Sequence, residues 1–523
     1  MSTPAWPARR GAALAILITA GFMDLLDTTI VNVAIPSVRA DIGANYAEIQ
    51  WIVAGYLLAV AVGLITGGRM GDLFGRRRVF LIGVAGFGLT SLASGLAPTA
   101  GVLVATRVLQ GCSAAIMIPQ ILSVIQVSFP REEQTRALAL YSSVAGIAVM
   151  SGPLMAGVLL DVLHWSWRSI FLINVPVSVA VLCLAPLVVP ESRAPHARRV
   201  DPGGIALVSA ALFSLVFGII EGRELGWPLW TWLAIVAAVP LFALFAAYET
   251  RLERRDGSPL ISPALFRQRT FTSGIVVVPV FFSGVVGFFL AFTIFLQLGL
   301  GFTPLESALT TFPSSVGLAL SSLLSGRLAP RYGRKVLAAG ALIMALAMTG
   351  LVATIDAHGA ALTAWNVRPI ILVFGIGMGL IIPPLAEVIL ADVDERHAGA
   401  ASGVVNTGMQ VGNAVGVAIV GVILFAALSS HAAGSAAKAH VPVAQRACFV
   451  ARMQEEDPAV VPAACRGVAP SPAFARARED DFVAAIERAL LYEVGVFAGT
   501  FGLLLLLPAG ARRPAAERTL VAT

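Results

Sequence analysis

Apolar stretches recur along nearly the whole chain and are separated by short polar or basic segments. Most are close to 20 residues long, the length that an α-helix needs to cross the hydrocarbon core of a bilayer. There are fourteen of them, centred on residues 12–36, 49–68, 79–97, 102–128, 137–160, 170–190, 203–221, 229–248, 272–298, 308–326, 336–355, 369–390, 399–428 and 486–508. The pattern predicts an all-α polytopic membrane protein with fourteen transmembrane helices.

The composition excludes an ordinary soluble protein. The chain has 523 residues, of which 57% are hydrophobic and 13% are charged, and its mean hydropathy is +0.85. Soluble domains carry about 25% charged residues. Arg9 and Arg10 precede a first apolar run that is too long for the core of a cleavable signal peptide, so we interpret this run as the first transmembrane helix.

Basic residues are distributed unevenly between the two sides of the predicted membrane. If the chain starts in the cytoplasm, most Lys and Arg residues fall in cytoplasmic segments, whereas the short external loops hold one each, at Arg39, Arg168, Arg223 and Arg368. This is the positive-inside bias. It predicts a multi-pass protein of the cell (inner or plasma) membrane with both termini cytoplasmic, and it attributes the net charge of +6 to topology rather than to nucleic-acid binding.

Two similar hairpins indicate an internal repeat. Residues 68–78 read GRMGDLFGRRR and residues 326–335 read GRLAPRYGRK. Repeated halves are the organisation of many secondary transporters. Counting helices from each hairpin predicts an N-terminal six-helix bundle over residues 1–190, two inserted linker helices over 191–260 and a C-terminal six-helix bundle over 261–523.

The segment at 429–482, between the last two predicted helices, is long, rich in Ala and Pro, and predicted to be an external loop. Cys448 and Cys465 lie in it, and an oxidising exterior favours a disulfide between them. Cys112 and Cys183 fall in predicted helices, where we interpret them as small packing residues.

Helix 1 carries two acids, Asp24 and Asp27, which project from one face because they are three residues apart. A charged side chain at the bilayer centre costs about 2.5–3.5 kcal/mol on insertion scales. Arg107 is the basic residue that lies well inside a predicted span, and pairing with a helix 1 aspartate would compensate both charges. Gln110, on the same face as Arg107, would extend this network. The alternative is that one aspartate lies at an interface and the other is a satisfied structural acid.

Helix 5 contains small residues and a proline at Gly152, Pro153 and Gly157. Small residues allow close helix approach, and Pro153 removes a backbone hydrogen bond. We interpret this segment as a hinge or as an occluding contact between the halves, with ordinary tight packing as the alternative.

The first hairpin needs Gly68 and Gly75 for its turn, and Asp72 lies among arginines that include Arg76 and Arg77. Asp72 is predicted to meet the positive N-terminus of a helix in the other half. The hairpin would then act as a cytoplasmic latch. The alternative is a solvated basic loop.

Glu387 and Glu493 lie about one turn inside the ends of helices 12 and 14, where they could either take part in transport or reach the interface. The sequence contains no phosphate-binding G-x-x-x-x-G-K-[ST] loop and no cluster with metal-ligand spacing. It also shows no catalytic constellation. We therefore expect no enzyme activity, no metal and no cofactor.

Several motifs resemble the fourteen-helix drug:proton antiporters of the major facilitator superfamily, the EmrB/QacA type. Residues 26–36, LDTTIVNVAIP, look like the helix 1 motif of that branch. The first hairpin is similar to the loop 2–3 motif, although Leu73 stands where a basic residue is common. Arg107 and Gln110 match the helix 4 motif, with Ser113 where glycine is frequent. Gly152, Pro153 and Gly157 resemble the antiporter motif, and residues 167–176 resemble the entry into helix 6.

The resemblance implies a major-facilitator fold and a role for individual residues. Asp27 would be the proton-coupling carboxylate and Arg107 its helix 4 partner, while Asp72 would belong to the latch. Asp24 does not belong to the motif. We predict that it lines the substrate cavity together with Asn32, Gln110 and Glu387, and that an added acid there favours cationic amphiphiles.

These expectations define a proton-coupled multidrug or antibiotic efflux antiporter that works by alternating access and is driven by the proton gradient. Its partners would be a small amphiphilic substrate, protons and the bilayer. The segment at 429–482 would either dock an external adaptor protein or guard the exit. The alternatives are a dedicated exporter of one metabolite or lipid, an uptake symporter on the same scaffold, and a membrane scaffold or sensor.

Overall fold

The computed structural model describes residues 6–193, 201–255, 259, 261, 263–390, 393, 398–454, 462–466, 468 and 471–507. Secondary structure in these ranges is helical, with no strand, which confirms the predicted fold class. The predicted cytoplasmic termini at 1–5 and 508–523 and the basic connector at 194–200 lie outside the described residues.

The N-terminal helices follow the predicted spans closely. They are α1 (Trp6–Ile42), α2 (Tyr46–Phe74), α3 (Arg76–Gly95), α4 (Ala100–Ser128), α5 (Arg131–Gly157), α6 (Ser169–Leu172) and α7 (Asn174–Val188), with a π-helical segment at Val158–Val162 after α5. Local sequence sets several starts. Asn45 caps α2 in a reciprocal capping box with Glu48, and the Thr99 side chain caps α4.

The remaining helices comprise the linker pair and the C-terminal half. They are α8 (Pro202–Glu224), α9 (Leu229–Arg254), α10 (Arg269–Ile294), α11 (Pro304–Tyr332), α12 (Arg334–His358), α13 (Ala364–Leu390), α14 (Ala398–Lys438), α15 (Val443–Gln454) and α16 (Pro472–Leu506). A second π-helical segment, Phe295–Gly299, follows α10. Thirteen helical stretches of the described chain are long and apolar enough to cross a membrane, and the fifth predicted span lies on α5 and its π-helical continuation.

The segment at 429–482 is mostly helical, and the prediction of a long loop there was wrong. Helix α14 continues to Lys438, α15 follows, and α16 already begins at Pro472. Alanine is the strongest helix former, and Phe449 packs edge-to-face on Phe474 with ring centroids 4.9 Å apart. The structure contains the disulfide between Cys448 and Cys465, which joins α15 to the short 3₁₀ turn at Ala463–Cys465.

The helices pack in two groups. In the N-terminal group α2 and α3 pack on α4, and α1 packs on α5 and α7. In the C-terminal group α11 packs on α13, α10 on α14, and α12 on α16. The groups meet where α2 contacts α14 and α5 contacts α11, and α8 lies against both α2 and α14. We call the end of the helices that carries the hairpin at 68–78 the hairpin end, and the opposite end, which carries the disulfide, the far end.

Gly152 is the point where α5 approaches α1 most tightly. A Cβ at Gly152 would lie 2.0 Å from Thr29 Oγ1 and 3.1 Å from the Ile30 backbone nitrogen. The adjacent turn of α1 carries Asp27, so this close approach positions the helix that bears the acid.

We therefore expect Gly152→Ala to lower the stability of the protein by about 1–3 kcal/mol, the usual cost of overpacking. Thermal unfolding in detergent measures the change. Gly434→Ala on α14 is the matched control, because a Cβ there meets nothing within 4 Å. Equal stability of the two variants would contradict the packing described for α1 and α5.

Candidate functional site

Asp27 lies at the centre of a buried polar network. Arg107 on α4 donates from Nη1 to Asp27 Oδ2 over 2.5 Å. The other carboxylate oxygen, Oδ1, accepts from Asn174 Nδ2 over 2.7 Å and from Gln110 Nε2 over 3.1 Å. Asp27 is 0% and Arg107 1% exposed. The carboxylate thus binds side chains from two other helices and is closed off from solvent in this arrangement.

The guanidinium of Arg107 makes further contacts. Its Nε donates to the Ile52 carbonyl over 3.2 Å, and Nη1 also donates to Gln110 Oε1 over 2.7 Å. The Tyr56 ring lies below it, 4.3 Å from the guanidinium carbon. Buried ion pairs persist when hydrogen bonds satisfy their remaining donors and acceptors. Arg107 therefore pairs with Asp27, as the cost of two isolated charges predicts.

Ser91 on α3 closes the network on its other side. Its hydroxyl accepts from Asn174 Nδ2 over 2.9 Å and from Gln110 Nε2 over 3.1 Å, and it donates to the Phe171 carbonyl over 3.1 Å. The network consequently connects α1, α3, α4 and α7. Each of its side chains either binds Asp27 or binds a residue that does.

Asp24 joins the same network through Tyr56. The Tyr56 hydroxyl donates to Asp24 Oδ1 over 2.5 Å, and the same ring packs on Arg107. Asp24 is 5% exposed. The cluster thus holds two carboxyl groups and one guanidinium: Asp27 forms the ion pair with Arg107, and Asp24 is linked to Arg107 through Tyr56. With both acids ionised, the cluster carries one net negative charge. Such a charge is unfavourable in a buried site, so the arrangement is chemically suited to take up and release a proton.

The four residues predicted to line a cavity do not form one surface in this structure. Asp24 and Gln110 belong to the buried network around Arg107. Asn32 is half-buried, and its Oδ1 has no hydrogen-bond partner among the described residues. Glu387 is exposed on α13. Gln110 in particular lies inside the network because its amide binds both Asp27 and Ser91.

The hairpin residues bind within their own half. Asp72 Oδ1 accepts from Arg76 Nη2 over 2.7 Å, an ion pair one helical turn apart. The predicted contact of Asp72 with a helix of the other half is not among the contacts of the described chain. Gly75 adopts φ 108° between α2 and α3, a conformation that favours glycine. At Gly68 an added Cβ would lie 3.7 Å from the Pro119 side chain.

Glu191, after α7, caps the N-terminus of α3 in its own half. Its two carboxylate oxygens accept from the backbone N–H groups of Arg77, over 3.1 Å, and Arg78, over 3.2 Å. An acid stabilises the positive start of a helix. Arg77 also donates from Nη1 to the Val189 carbonyl over 3.3 Å. The hairpin is thereby attached to α7 of the same group.

The end of helix α5 contacts the other half at the far end. A Cβ at Gly157 would lie 2.7 Å from Leu305 Cα. Asp161, in the π-helical segment, accepts from the Leu305 backbone N–H over 2.7 Å and so caps the start of α11 across the interface. Pro153 lies inside α5, four residues before Gly157. Helix α5 and its π-helical continuation therefore contact the other half through Gly157 and Asp161.

Other contacts between the two groups also lie at the far end. The rings of Tyr46 and Phe425 stack with centroids 3.9 Å apart. Gln297 Nε2 donates to the Val33 carbonyl over 3.0 Å. The two halves are thus held together at the end opposite the hairpin.

Sequence reasoning missed several members of the site. Tyr56, Ser91 and Asn174 are uncharged polar residues in predicted helices, and such residues are common there without a function. Asn174 does fall inside the motif at 167–176, which was the one available signal. Asp161 and Glu191 were missed because their partners are backbone groups that only the tertiary structure brings near.

Comparison with known proteins agrees with this architecture. The sequence profile described as "Major Facilitator Superfamily" matches residues 17–417. The chain belongs to this superfamily. It is therefore a multi-pass membrane transporter and not an enzyme. Its structure resembles a bacterial homologue of the human lysosomal transporter Spinster in an inward-facing, unoccupied conformation, with a TM-score of 0.61, 17% identity and coverage of 97% of this chain and 98% of that one, a likeness that shows the fold alone.

The relatives of this chain include proteins with functional names, of which we give two. The chain is 39% identical to the "Probable actinorhodin transporter" of Streptomyces coelicolor over 96% of this chain and 92% of that protein. It is 34% identical to the "Tetracenomycin C resistance and export protein" of Streptomyces glaucescens over 84% of this chain and 79% of that protein.

We expect Arg107→Leu to destabilise this transporter by about 3–5 kcal/mol, because it leaves the Asp27 carboxylate buried without its counter-ion. Adding Asp27→Asn should restore most of the loss, since the charge is then removed as well. Thermal unfolding of the single and double variants in detergent makes the comparison. A double variant no more stable than Arg107→Leu would contradict the pairing.

Proposed function

We propose that this transporter exports a small amphiphilic molecule in exchange for protons. The single observation that supports the proposal is the buried network in which Arg107 pairs with Asp27 and is linked through Tyr56 to a second acid, Asp24. Intramembrane acids and bases of this kind mark proton and substrate pathways in transporters.

Protonation would act directly on the hydrogen bonds of Asp27. As a carboxylate it accepts from Arg107, Gln110 and Asn174. A proton on Oδ2 removes the ionic part of its bond to Arg107 and turns that oxygen into a donor. The guanidinium can then interact more strongly with Asp24. The two are linked by Tyr56, whose ring packs on Arg107 and whose hydroxyl donates to Asp24. The network thus has two arrangements that differ by one proton, which is what a coupled conformational change requires.

Alternating access would connect these arrangements to transport. In the far-end-closed conformation described by this structure, the substrate site would communicate with the hairpin end. We assign the hairpin end to the cytoplasm from the charge bias of the loops. Protonation of Asp27 from outside would release the substrate, and loss of the proton to the cytoplasm would restore the binding form. One charge moved through 100 mV supplies about 2.3 kcal/mol.

The substrate class follows from Asp24 and from the relatives. Asp24 adds a second acid beside Asp27, and we propose that it favours amphiphiles with a positive charge. The names of the two relatives point to antibiotics and their producers. A dedicated exporter of one such compound is the second candidate, since each of these names refers to a single compound.

Neutralising Asp27 should abolish transport driven by a pH gradient. The assay uses proteoliposomes with ethidium, tetracenomycin C and actinorhodin as separate probes, each followed during a pH jump. Asp27→Asn is expected to reduce gradient-driven uptake of every transported probe to the level of empty liposomes, because the carboxyl can no longer exchange a proton.

Asp41→Asn is the matched control. Asp41 is also an acid of α1, but it accepts from Trp167 Nε1 over 2.8 Å at the far end and lies outside the network. It should retain coupled transport. Unchanged coupling in Asp27→Asn would refute the proposal, and transport of only one of the three probes would favour the dedicated exporter.

A further inference from the structure

Glu493 on α16 is a second buried acid, and it lies in the C-terminal helix group. The side chain is 1% exposed, and neither Oε1 nor Oε2 has a hydrogen-bond partner among the described residues. Asp27, by contrast, binds three donors. A buried carboxyl group without donors is compatible with the neutral, protonated form and strongly disfavours the ionised one.

The carboxyl group of Glu493 is packed closely against a neighbouring helix. Its carboxyl rests directly on the backbone of α10, because a Cβ at Gly284 would lie 2.7 Å from Oε2 and a Cβ at Gly287 would lie 2.8 Å from Oε1. Phe497, one turn further along α16, packs on Phe281 of α10 and Phe374 of α13 with ring centroids 6.4 and 5.6 Å away. The two glycines of α10 make room for the acid, and buried aromatic rings close the site.

No charge compensates Glu493 in the described part of the chain. Its own helix, α16, carries Tyr492 next to it and Glu487 and Arg488 nearer the far end. The charged or titratable side chains of the helices around it lie toward the helix ends, at Arg269 on α10, Arg334, Lys335, Asp356 and His358 on α12, Arg368 and Glu387 on α13, and His431 and Lys438 on α14. None of them forms an ion pair with Glu493.

Helix α10 contains a feature that permits bending on each side of its contact with Glu493. Pro279 interrupts its hydrogen bonds before Gly284, and the π-helical segment Phe295–Gly299 follows after Gly287. Prolines and π-segments are the usual points at which helices bend. The π-segment also contains Gln297, whose amide donates to the Val33 carbonyl of α1 and joins the two halves at the far end. Displacement of α10 from Glu493 would therefore disturb the far-end closure.

We propose that Glu493 is a second proton-binding site of this transporter, linked through α10 to the closure of the far end. When Glu493 is protonated, α10 packs directly against its neutral carboxyl group, and Gln297 keeps its hydrogen bond to the Val33 carbonyl of α1. With the proton lost to water, the carboxylate needs hydration, α10 moves away and the far end opens. The proton leaves by breaking the carboxyl O–H bond to a water molecule, and a proton from the opposite side restores it.

The direction of this linkage fits exchange. Protonation favours the far-end-closed arrangement, so a proton bound from outside would be carried into the form that opens toward the hairpin end. The inference rests on the proposed function, since an exchanger needs such a proton, but the site is testable without any substrate.

The experiment measures the far-end distance as a function of pH. Spin labels are placed at Ala40→Cys and Ala360→Cys, two exposed far-end positions on opposite halves, in a chain that carries Cys112→Ser and Cys183→Ser. Distances are recorded by double electron–electron resonance in nanodiscs between about pH 5 and about pH 9, a range that spans the titration of a buried glutamate. The full-length protein is used throughout.

We expect a longer distance to appear in the parent protein as the pH rises, and we expect Glu493→Gln to lose this response and keep the short distance. Glutamine has the shape of the neutral acid. Glu487→Gln is the matched control, because Glu487 is a half-buried acid of the same helix, and it should behave like the parent. A parent without a pH response, or a Glu493→Gln variant that keeps it, would overturn the inference.

A second measurement covers the case in which Glu493→Gln does not fold. Infrared spectra of the parent with ¹³C-labelled glutamate follow the band of protonated carboxyl groups. This band should weaken as the pH rises, and a band that stays constant would overturn the inference.

The two proposals fail separately. If Asp27→Asn loses coupled flux while Glu493→Gln keeps the distance response of the parent, the proposed function stands and Glu493 is only a packing residue. If the parent transports without coupling while Glu493→Gln loses the response, the site stands and proton exchange as the function is refuted.

Discussion

A charge inside a membrane protein must be compensated, and the pairing of Asp27 with Arg107 is the interaction on which the N-terminal half depends. It joins α1 to α4, and through Gln110, Asn174 and Ser91 it extends to α7 and α3. Gly152 brings α5 against the adjacent turn of α1. The helices of this half are therefore arranged around one ion pair, whose loss would leave a buried charge without a partner.

The buried acidic side chains of the two halves have different surroundings. In the N-terminal half Asp27 pairs with Arg107, and Asp24 is linked to the same guanidinium through Tyr56, so the cluster holds one more acid than base. In the C-terminal half Glu493 pairs with no cation among the described residues, and two glycines make room for it. Both acids lie where the last helix of a half meets the first, since Asn174 of α7 binds Asp27 of α1 and Glu493 of α16 faces α10. The proposed proton sites thus occupy comparable places in the two halves.

Much of the fold could be predicted from the sequence because a bilayer imposes a simple length and polarity on each helix. The pairing of Arg107 with an aspartate followed from the cost of isolated charges. The segment at 429–482 was misread because its composition resembles a loop although its alanines form helix. The partner of Asp72 could not be predicted, because contacts between the halves change with the conformation of the transporter. In this structure Asp72 pairs with Arg76 of the same hairpin. Tyr56 and Ser91 gave no signal, because a single polar residue in a helix carries no information about its neighbours.

The most direct test of proton exchange is the number of protons released when a substrate binds to the purified protein. Calorimetry of ethidium or tetracenomycin C binding in two buffers of different ionisation enthalpy gives this number. Proton-coupled export predicts that binding releases protons from the parent protein and that Asp27→Asn releases fewer. Binding that releases no protons from the parent at any pH would contradict the account.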